Sequence, residues 1–486
     1  MRFALAALAV TYTTQPLAGF TLLSPQRAHN VGTVNSAVGG VLEETYSDYH
    51  QSIDNIIRDL DGNPLTTDYF ATHMGIPNVE SYSCPEEDAF RGFMSNACRV
   101  KLNPGGESAF YKCIVFSDLG HAWEKMRSAP FKLARDAKSY EVVANLLKSK
   151  ACRLMVEKTG VKFPKVLHAK LEPNFDNPIE SKFSFLLEDL SPSDGWYQKW
   201  LLDTEEECHA SLTSYAKIHA FFWHGSSFWN DKEAAQEFEN AVWKSGSYVQ
   251  PHAQNVDQWK MVASEWEKKK MKFKKEFSTL DYFPNLGERL QSVAQEYGRH
   301  AHPFAENESF SNNYQQYRTF THGDPKQANI FFRRSDEAEI EEIALIDYQW
   351  SGFGLAASDV AHFLTSAVHA EMLEGPGEEN LMRYYYDELQ KYLVEYGAFT
   401  SAEDARKGYS YEVFTHQYET AVLDLCRLII AYTWDRFEFP VEKGDKEGSA
   451  RTMNKTSYNK SIPNAVWLMT RCDEILKSRG VFNEGV

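Results

Sequence analysis

Apolar residues recur along this chain with the period of a helix in some stretches and of a strand in others. Tyr46, Tyr49, Ile53, Ile56 and Ile57 fall at helical spacing within residues 43–80, and Asp61-Gly62-Asn63-Pro64 interrupts that pattern. Thr66 to Met74 then reads as a short helix. Ala97 to Leu102 and Phe110 to Phe116 read as strands, with Asn103-Pro104-Gly105-Gly106 as the turn between them. A helix is predicted from about Leu133 to Leu147, and a strand over Phe183 to Leu187. Pro192, Asp194 and Gly195 mark a boundary. From about residue 200 the pattern is mainly helical, interrupted by two apolar strands, Asn329-Ile330-Phe331-Phe332 and Ile343-Ala344-Leu345-Ile346. The polar run Arg333 to Glu342 joins them as an exposed turn. This order predicts an α+β chain of two lobes, a small sheet-rich N-lobe over 43–190 and a larger, mainly helical C-lobe over 191–486.

Composition narrows the function classes. The chain has 486 residues, 43% of them hydrophobic, which is enough apolar material for a large core. The net charge of −17 argues against a general nucleic-acid binder, which needs a cationic surface for phosphate contacts. No apolar run approaches the ~18 residues that span a bilayer, so no integral membrane segment is expected. The seven cysteines are scattered and form no C-x-x-C, which fits a reducing compartment better than a disulfide framework or a zinc site.

The N-terminus has its own character. Met1-Arg2 precedes an apolar run from Phe3 to Val10, small residues follow at Ala18 and Gly19, and no acidic residue occurs before Glu43. The first part resembles a signal peptide, and the acid-poor, hydroxyl-rich remainder resembles a transit segment. The join Leu17-Ala18-Gly19-Phe20 resembles the cleavage motif of bipartite presequences in algae with secondary plastids. The expectation is a presequence over 1–42 leading to a plastid. The alternatives are the secretory pathway and an untargeted cytoplasmic tail.

Candidate chemistry is concentrated in Thr321-His322-Gly323-Asp324-Pro325-Lys326-Gln327-Ala328-Asn329 and in Ile346-Asp347-Tyr348-Gln349. Phosphoryl transfer from ATP needs a carboxylate to orient and deprotonate a hydroxyl and oxygen ligands for a metal, in the arrangement H-x-D-x-x-x-x-N followed by a strand ending in Asp. Asp324 fits the first role. Asn329 and Asp347 fit the second, because a hairpin holds them at one end and Mg²⁺ takes hard oxygen ligands. Singly, a turn Asp or a strand-terminal Asp is more often structural. The spacing of the three together favours function.

T-H-G-D-x-x-x-x-N-I-F-F with I-D-Y-Q-W-x-G resembles the aminoglycoside phosphotransferase/choline kinase superfamily, and within it the ecdysteroid-kinase-like, or CHK kinase-like, branch. The resemblance implies a protein-kinase-like fold, ATP and Mg²⁺ as cofactors, and a small-molecule alcohol as acceptor. Gly323 and Gln349 depart from the choline/ethanolamine kinase pattern of H-N-D and I-D-x-E. A pseudokinase scaffold is the reading from another class. Asp359 matches the family's D-L-A-x-x-L helix, where it would brace the catalytic loop; a helix cap is the alternative.

The resemblance also implies a lysine and a glutamate from the N-lobe. Lys112 lies inside an apolar strand, where a charge is costly unless paired, and it would hold the ATP phosphates. The alternative is an edge-strand lysine that snorkels to water. Glu141 is the expected helix partner of Lys112. The family usually has an aromatic residue four positions after that Glu, but here it is Asn145. Backbone groups at Ser95 and Asn96, in Arg91 to Asn96, are the expected phosphate-covering loop. Glu188 to Leu190 resembles the hinge that meets adenine. Ile218-His219-Ala220-x-x-Trp223 resembles a family helix, with His219 and Trp223 read as core. Glu267 to Lys275 reads as a solvated helix face. Asp424, Tyr432, Trp434 and Asp435 are candidates to hold a substrate amine, against a packing role.

Overall fold

The computed structural model describes residues 57–85, 89–91, 95–250, 258–272, 283, 285–335, 339–432 and 461–482. The expected presequence, the periodic residues Tyr46 to Ile56, Gly92 to Met94 of the expected phosphate loop, Trp434 and Asp435 lie outside them.

The strands β1 (Ser81–Ser83), β2 (Ala89–Arg91), β3 (Asn96–Asn103), β4 (Ser108–Val115), β5 (Val166–Glu172) and β6 (Lys182–Glu188) form one antiparallel sheet. Its order is β1-β3-β4-β6-β5, with β2 paired to the start of β3. The β3–β4 hairpin follows the alternation read in the sequence. Gly105 and Gly106 supply its turn with φ of 118° and 77°, a region that side-chain-bearing residues avoid.

The pleat divides this sheet into two faces. Ala109, Tyr111 and Cys113 of β4, with Cys98, Val100 and Leu102 of β3, pack under Ile57, Leu60, Leu65 and Phe70. Phe70 belongs to α1 (Thr67–Met74), which Thr66 caps through its hydroxyl and Gly75 ends in the left-handed region. Ile114, Phe183 and Phe185 pack on the opposite face against Leu133, Ala137, Tyr140 and Ala144 of α3 (Pro130–Lys148). Those four recur at helical spacing, and Pro130 opens the helix where a missing N–H costs nothing. Each such fully buried Leu or Phe contributes about 1.5–3 kcal/mol. The helices α2 (Gly120–Ser128) and α4 (Lys150–Thr159) flank α3. After α4, Lys162 exchanges backbone hydrogen bonds with Ile343 and Leu345, tying this region to the hairpin between Asn329 and Asp347.

The rest is mainly helical. It comprises α5 (Glu205–Phe221), α6 (Lys232–Ala241), α7 (Gln258–Lys272), α8 (Leu286–Ala301), α9 (Glu308–Ser311), α10 (Ala356–Ala367), α11 (Ala370–Leu373), α12 (Gly377–Glu395), α13 (Ala402–Gly408), α14 (Tyr411–Ala431) and α15 (Ile462–Ser478). The expected stripe of Leu212, Tyr215, Ala216, His219, Phe222 and Trp223 is fully buried. On α7, Val262 and Trp266 are buried and Lys268 and Lys270 pair with Glu265 and Glu267, but Lys269 is itself buried beside Glu265, so the expected solvated face is only partly seen, and Phe273 to Lys275 lie outside the described residues. The strand β7 (Trp196–Tyr197) joins the hairpin of β9 (Ile330–Arg334) and β10 (Ile340–Leu345). The expected long turn is shorter than Arg333 to Glu342, because both strands extend into it and a bulge between Ile340 and Glu342 absorbs the offset. An unanticipated ladder of β8 (Arg318–Thr321) and β11 (Gly352–Leu355) brackets the catalytic loop. Gly352 and Gly354 sit in this strand because the approach is close. A Cβ at Gly352 would lie 2.4 Å from the Trp243 carbonyl. Among the described residues, no helix is long and apolar enough to cross a membrane.

Candidate active site

The loop after β8 is held by a carboxylate beneath it. The His322 and Gly323 N–H groups donate to Asp359 Oδ2 and Oδ1 at 2.6 and 3.0 Å. His219 Nε2 lies 3.3 Å from the same carboxylate, and its Nδ1 lies 2.6 Å from the Tyr385 hydroxyl. A carboxylate only accepts, so His219 Nε2 carries the proton and Nδ1 accepts from Tyr385. Asp359 is therefore a brace from the first turn of α10, not a cap. Burial alone would raise its pKa, but the hydrogen bonds from His219 and Gly323 hold it below the usual carboxylate value. His219 is core, as expected, and it also forms the layer beneath the brace.

Gly323 has φ of 79°, and a Cβ there would lie 2.3 Å from the Trp350 carbonyl. The glycine of H-G-D is thus demanded both by backbone conformation and by the packing of the metal-loop turn against it. His322 is locked from both ring nitrogens. Nε2 donates to the Ile346 carbonyl at 2.9 Å, and Nδ1 accepts from the Asp324 N–H at 3.3 Å. Burial lowers its pKa, consistent with that neutral form.

Asp324 is 3% exposed. Its Oδ2 accepts from Lys326 Nζ at 2.7 Å. Its Oδ1 has no hydrogen-bond partner and lies 3.7 Å from His362 Nε2 of α10. Burial works to raise its pKa, and the Lys326 ammonium, through its charge and its hydrogen bond, outweighs that and holds it low. His362 itself is pushed down to about 4 by burial, so its imidazole is neutral at neutral pH. Asp324 is thus ionised, with one oxygen that accepts no hydrogen bond.

Asn329 and Asp347 meet at the end of the hairpin. The Ile346 N–H donates to the Asn329 carbonyl at 3.0 Å, and Asn329 Nδ2 donates to the Asp324 carbonyl at 2.8 Å. The Asn329 side chain thus spends its nitrogen on the loop, and its oxygen accepts no hydrogen bond from the described residues. Asp347 takes the left-handed conformation, φ 68° and ψ 56°, an uncommon state for a residue with a side chain. Its carboxylate receives no hydrogen bond or ion pair from the described residues. A carboxylate and an amide oxygen left without protein partners fit Mg²⁺, which takes one or two protein oxygens and completes its shell with phosphate and water. Among the described residues no cluster of three His, Cys, Asp or Glu forms an all-protein metal cage.

The expected Lys112–Glu141 pair is not formed. Glu141 pairs with Lys138 at 2.7 Å, whereas Lys112 Nζ sits 5.5 Å above the Tyr140 ring. The physical reason is helix phase. Tyr140 faces the sheet, and Glu141 lies about 100° further round the helix. The acidic residue that shares the side of Tyr140 is Asp136, one turn earlier. It is buried and holds Lys125 at 2.6 Å and Arg135 at 3.2 Å. The sequence carried the signal: an acidic residue with an aromatic four positions later describes Asp136 and Tyr140, not Glu141 and Asn145. Arg135 also lies over the Trp350 ring at 4.9 Å, so α3 rests on the turn that follows Asp347.

The remaining expected positions divide. Glu188 turns its side chain onto Lys162 at 2.8 Å and onto the Lys165 N–H, away from a nucleotide role for the carboxylate. Leu190 is buried with Trp196 and Ala344 beside Phe331 and Ile346, which makes an apolar floor at the hairpin. Ser95 is buried, and Asn96 opens β3 opposite Arg91 and Cys113. Asp424 does not wait for an amine. It accepts from Arg427 Nε at 2.7 Å and lies 3.0 Å from His302 Nε2, all of them buried. Asp424 thus has the packing role, buried rather than at the surface.

This arrangement is that of a two-lobed kinase-like protein. The profile of the ecdysteroid kinase-like family matches residues 133–397, and the chain belongs to that family. Among solved structures, it is similar to an amicoumacin kinase in complex with AMP-PNP, Ca²⁺ and Ami, at 12% identity, a TM-score of 0.34, and coverage of 79% of this chain and 90% of that one. It is also similar to an ethanolamine kinase of Plasmodium vivax, at 11% identity, a TM-score of 0.34, and coverage of 84% and 90%. A third is a choline/ethanolamine kinase family protein from Mesorhizobium loti, at 10% identity, a TM-score of 0.34, and coverage of 85% and 98%. Curated proteins gave no match.

Proposed function

We propose that the protein is an ATP- and Mg²⁺-dependent phosphotransferase acting on a hydroxyl group of a small molecule. One observation carries the reading. A single hydrogen-bond network places an ionised Asp324 with one free oxygen beside Asn329 and Asp347, whose own oxygens face no protein partner. Asp324 orients the acceptor hydroxyl and takes its proton. Asn329 and Asp347 would hold Mg²⁺, which supplies charge neutralisation at the phosphates. Lys112 steadies the phosphates, and Asp136, which holds Lys125 and Arg135 on the Tyr140 side of α3, replaces Glu141 as the candidate carboxylate to position it. Leu190, Phe331 and Ile346 receive the adenine ring, and the backbone at Ser95 and Asn96 covers the phosphates. Catalysis of this kind is positioning plus electrostatics.

A nucleotide-binding scaffold without transfer is the second reading, favoured by the absence of an ion pair on Lys112 among the described residues. The two separate in a panel of small alcohols assayed for ATP-dependent phosphorylation by mass spectrometry. A phosphorylated acceptor supports the enzyme. Mg-ATP binding with no product across amino alcohols, sterols and sugars supports the scaffold.

A further inference from the structure

We propose that Lys326 is a catalytic residue whose ammonium meets the phosphoryl group in transit between nucleotide and acceptor; this rests on the kinase reading above. The position of the charge is the argument. Lys326 Nζ lies 2.7 Å from Asp324 Oδ2, with a side chain only 14% exposed. The Asp324 and Asp347 carboxylates both act on it, and together they overcome the burial that would otherwise lower its pKa. The ammonium therefore sits on the carboxylate that would take the acceptor proton, and it feels the charge of the one that would hold the metal. A phosphoryl group arriving at an acceptor oxygen beside Asp324 comes within reach of it.

The loop fixes this placement. The Lys326 N–H donates to the Asp324 carbonyl at 2.9 Å, and the Asn329 N–H donates to the Lys326 carbonyl at 2.9 Å. The Lys326–Asp324 pair covers one carboxylate oxygen and leaves Oδ1 without a partner, open to a hydroxyl. In the transfer, the acceptor oxygen bonds to the γ-phosphorus as the bond to the β–γ bridging oxygen breaks. ADP leaves, and the hydroxyl proton passes to Asp324 Oδ1. Charge spreads over the three equatorial oxygens. The Lys326 ammonium exchanges Asp324 Oδ2 for one of them and acts there as a compact point charge.

The test is calorimetric binding of Mg-ADP, with and without aluminium fluoride as the transition-state mimic, to wild type, Lys326→Met and Lys326→Arg. The expected result is that Mg-ADP binds all three within about threefold. Aluminium fluoride should tighten wild type strongly, and Lys326→Met should lose about 100- to 1,000-fold of that tightening and a similar factor in kcat. Lys326→Arg keeps the charge and recovers part of both, which separates a catalytic loss from a folding loss. Tightening of Lys326→Met equal to that of wild type overturns the inference alone. Failure of wild type to bind Mg-ADP at all overturns the kinase reading with it.

Discussion

Asp359→Asn isolates the brace beneath the catalytic loop. The wild-type carboxylate accepts from two backbone N–H groups, at 2.6 and 3.0 Å, and faces His219 Nε2 at 3.3 Å. All of these groups are buried. Hydrogen bonds to a charged acceptor contribute about 1.5–3 kcal/mol each, and a buried donor left without a partner costs about 1–3 kcal/mol. Asparagine keeps one acceptor oxygen but turns an NH₂ donor toward the other N–H. One bond survives and one becomes a donor–donor contact, so the expected loss is about 2–4 kcal/mol. That is a large part of the ~5–15 kcal/mol that holds an ordinary domain folded. The pH dependence follows from the depressed pKa. The stabilisation is fully present above the unfolded value of about 3.8 and is lost as pH falls through the lower folded value. At pH 7 wild type therefore holds all of it and the variant lacks it. Urea unfolding at pH 7 reads the difference as a lower midpoint with an unchanged slope. Activity should fall as well, because a displacement of about 1 Å at the loop costs about 100-fold. A variant within about 0.5 kcal/mol of wild type would refute the brace.

Other outcomes follow from the same geometry. Gly323→Ala must hold a side chain at φ 79° with its Cβ 2.3 Å from the Trp350 carbonyl, so it should lose activity and lower the melting temperature, whereas Gly62→Ala, with nothing within 4 Å, should pay only for its backbone conformation. Asp136→Ala should impair Mg-ATP binding and stability together, because Lys125 and Arg135 lose their buried partner, while Glu141→Ala, which breaks only the half-exposed pair with Lys138, should change either by less than about 1 kcal/mol. Equal effects of the two in a calorimetric titration would restore Glu141 as the partner.

How much could be read from sequence depended on how local the determinant was. Asp324, Asn329 and Asp347 are set by short spacings around one hairpin, so their order alone brings them together. The β3–β4 hairpin was equally legible, because Pro104-Gly105-Gly106 punctuates two clean alternations. Glu141 went astray by helix phase. The choice between it and Asp136 turns on which residue stands one turn from the sheet-facing Tyr140, and an aromatic four positions on marks that residue. The β8–β11 ladder escaped because its glycines report backbone approach to Trp243 and Thr321, contacts that no local pattern encodes. β5 escaped because it is half exposed and carries His168 and Lys170 among its apolar positions. Lys326 was passed over as a loop residue, since its meaning lies in the direction of its ammonium. The packing role of Asp424 was legible but its burial was not, because its partners, His302 and Arg427, come from a distant helix end and from the next turn of its own helix.

The most direct test of the central claim is acceptor-dependent ADP release by wild type and Asp324→Asn, with Mg-ATP affinity measured on both. The account predicts that the variant binds Mg-ATP like wild type and loses about 100- to 10,000-fold in turnover, as removal of a general base does. Turnover by Asp324→Asn equal to that of wild type would contradict it.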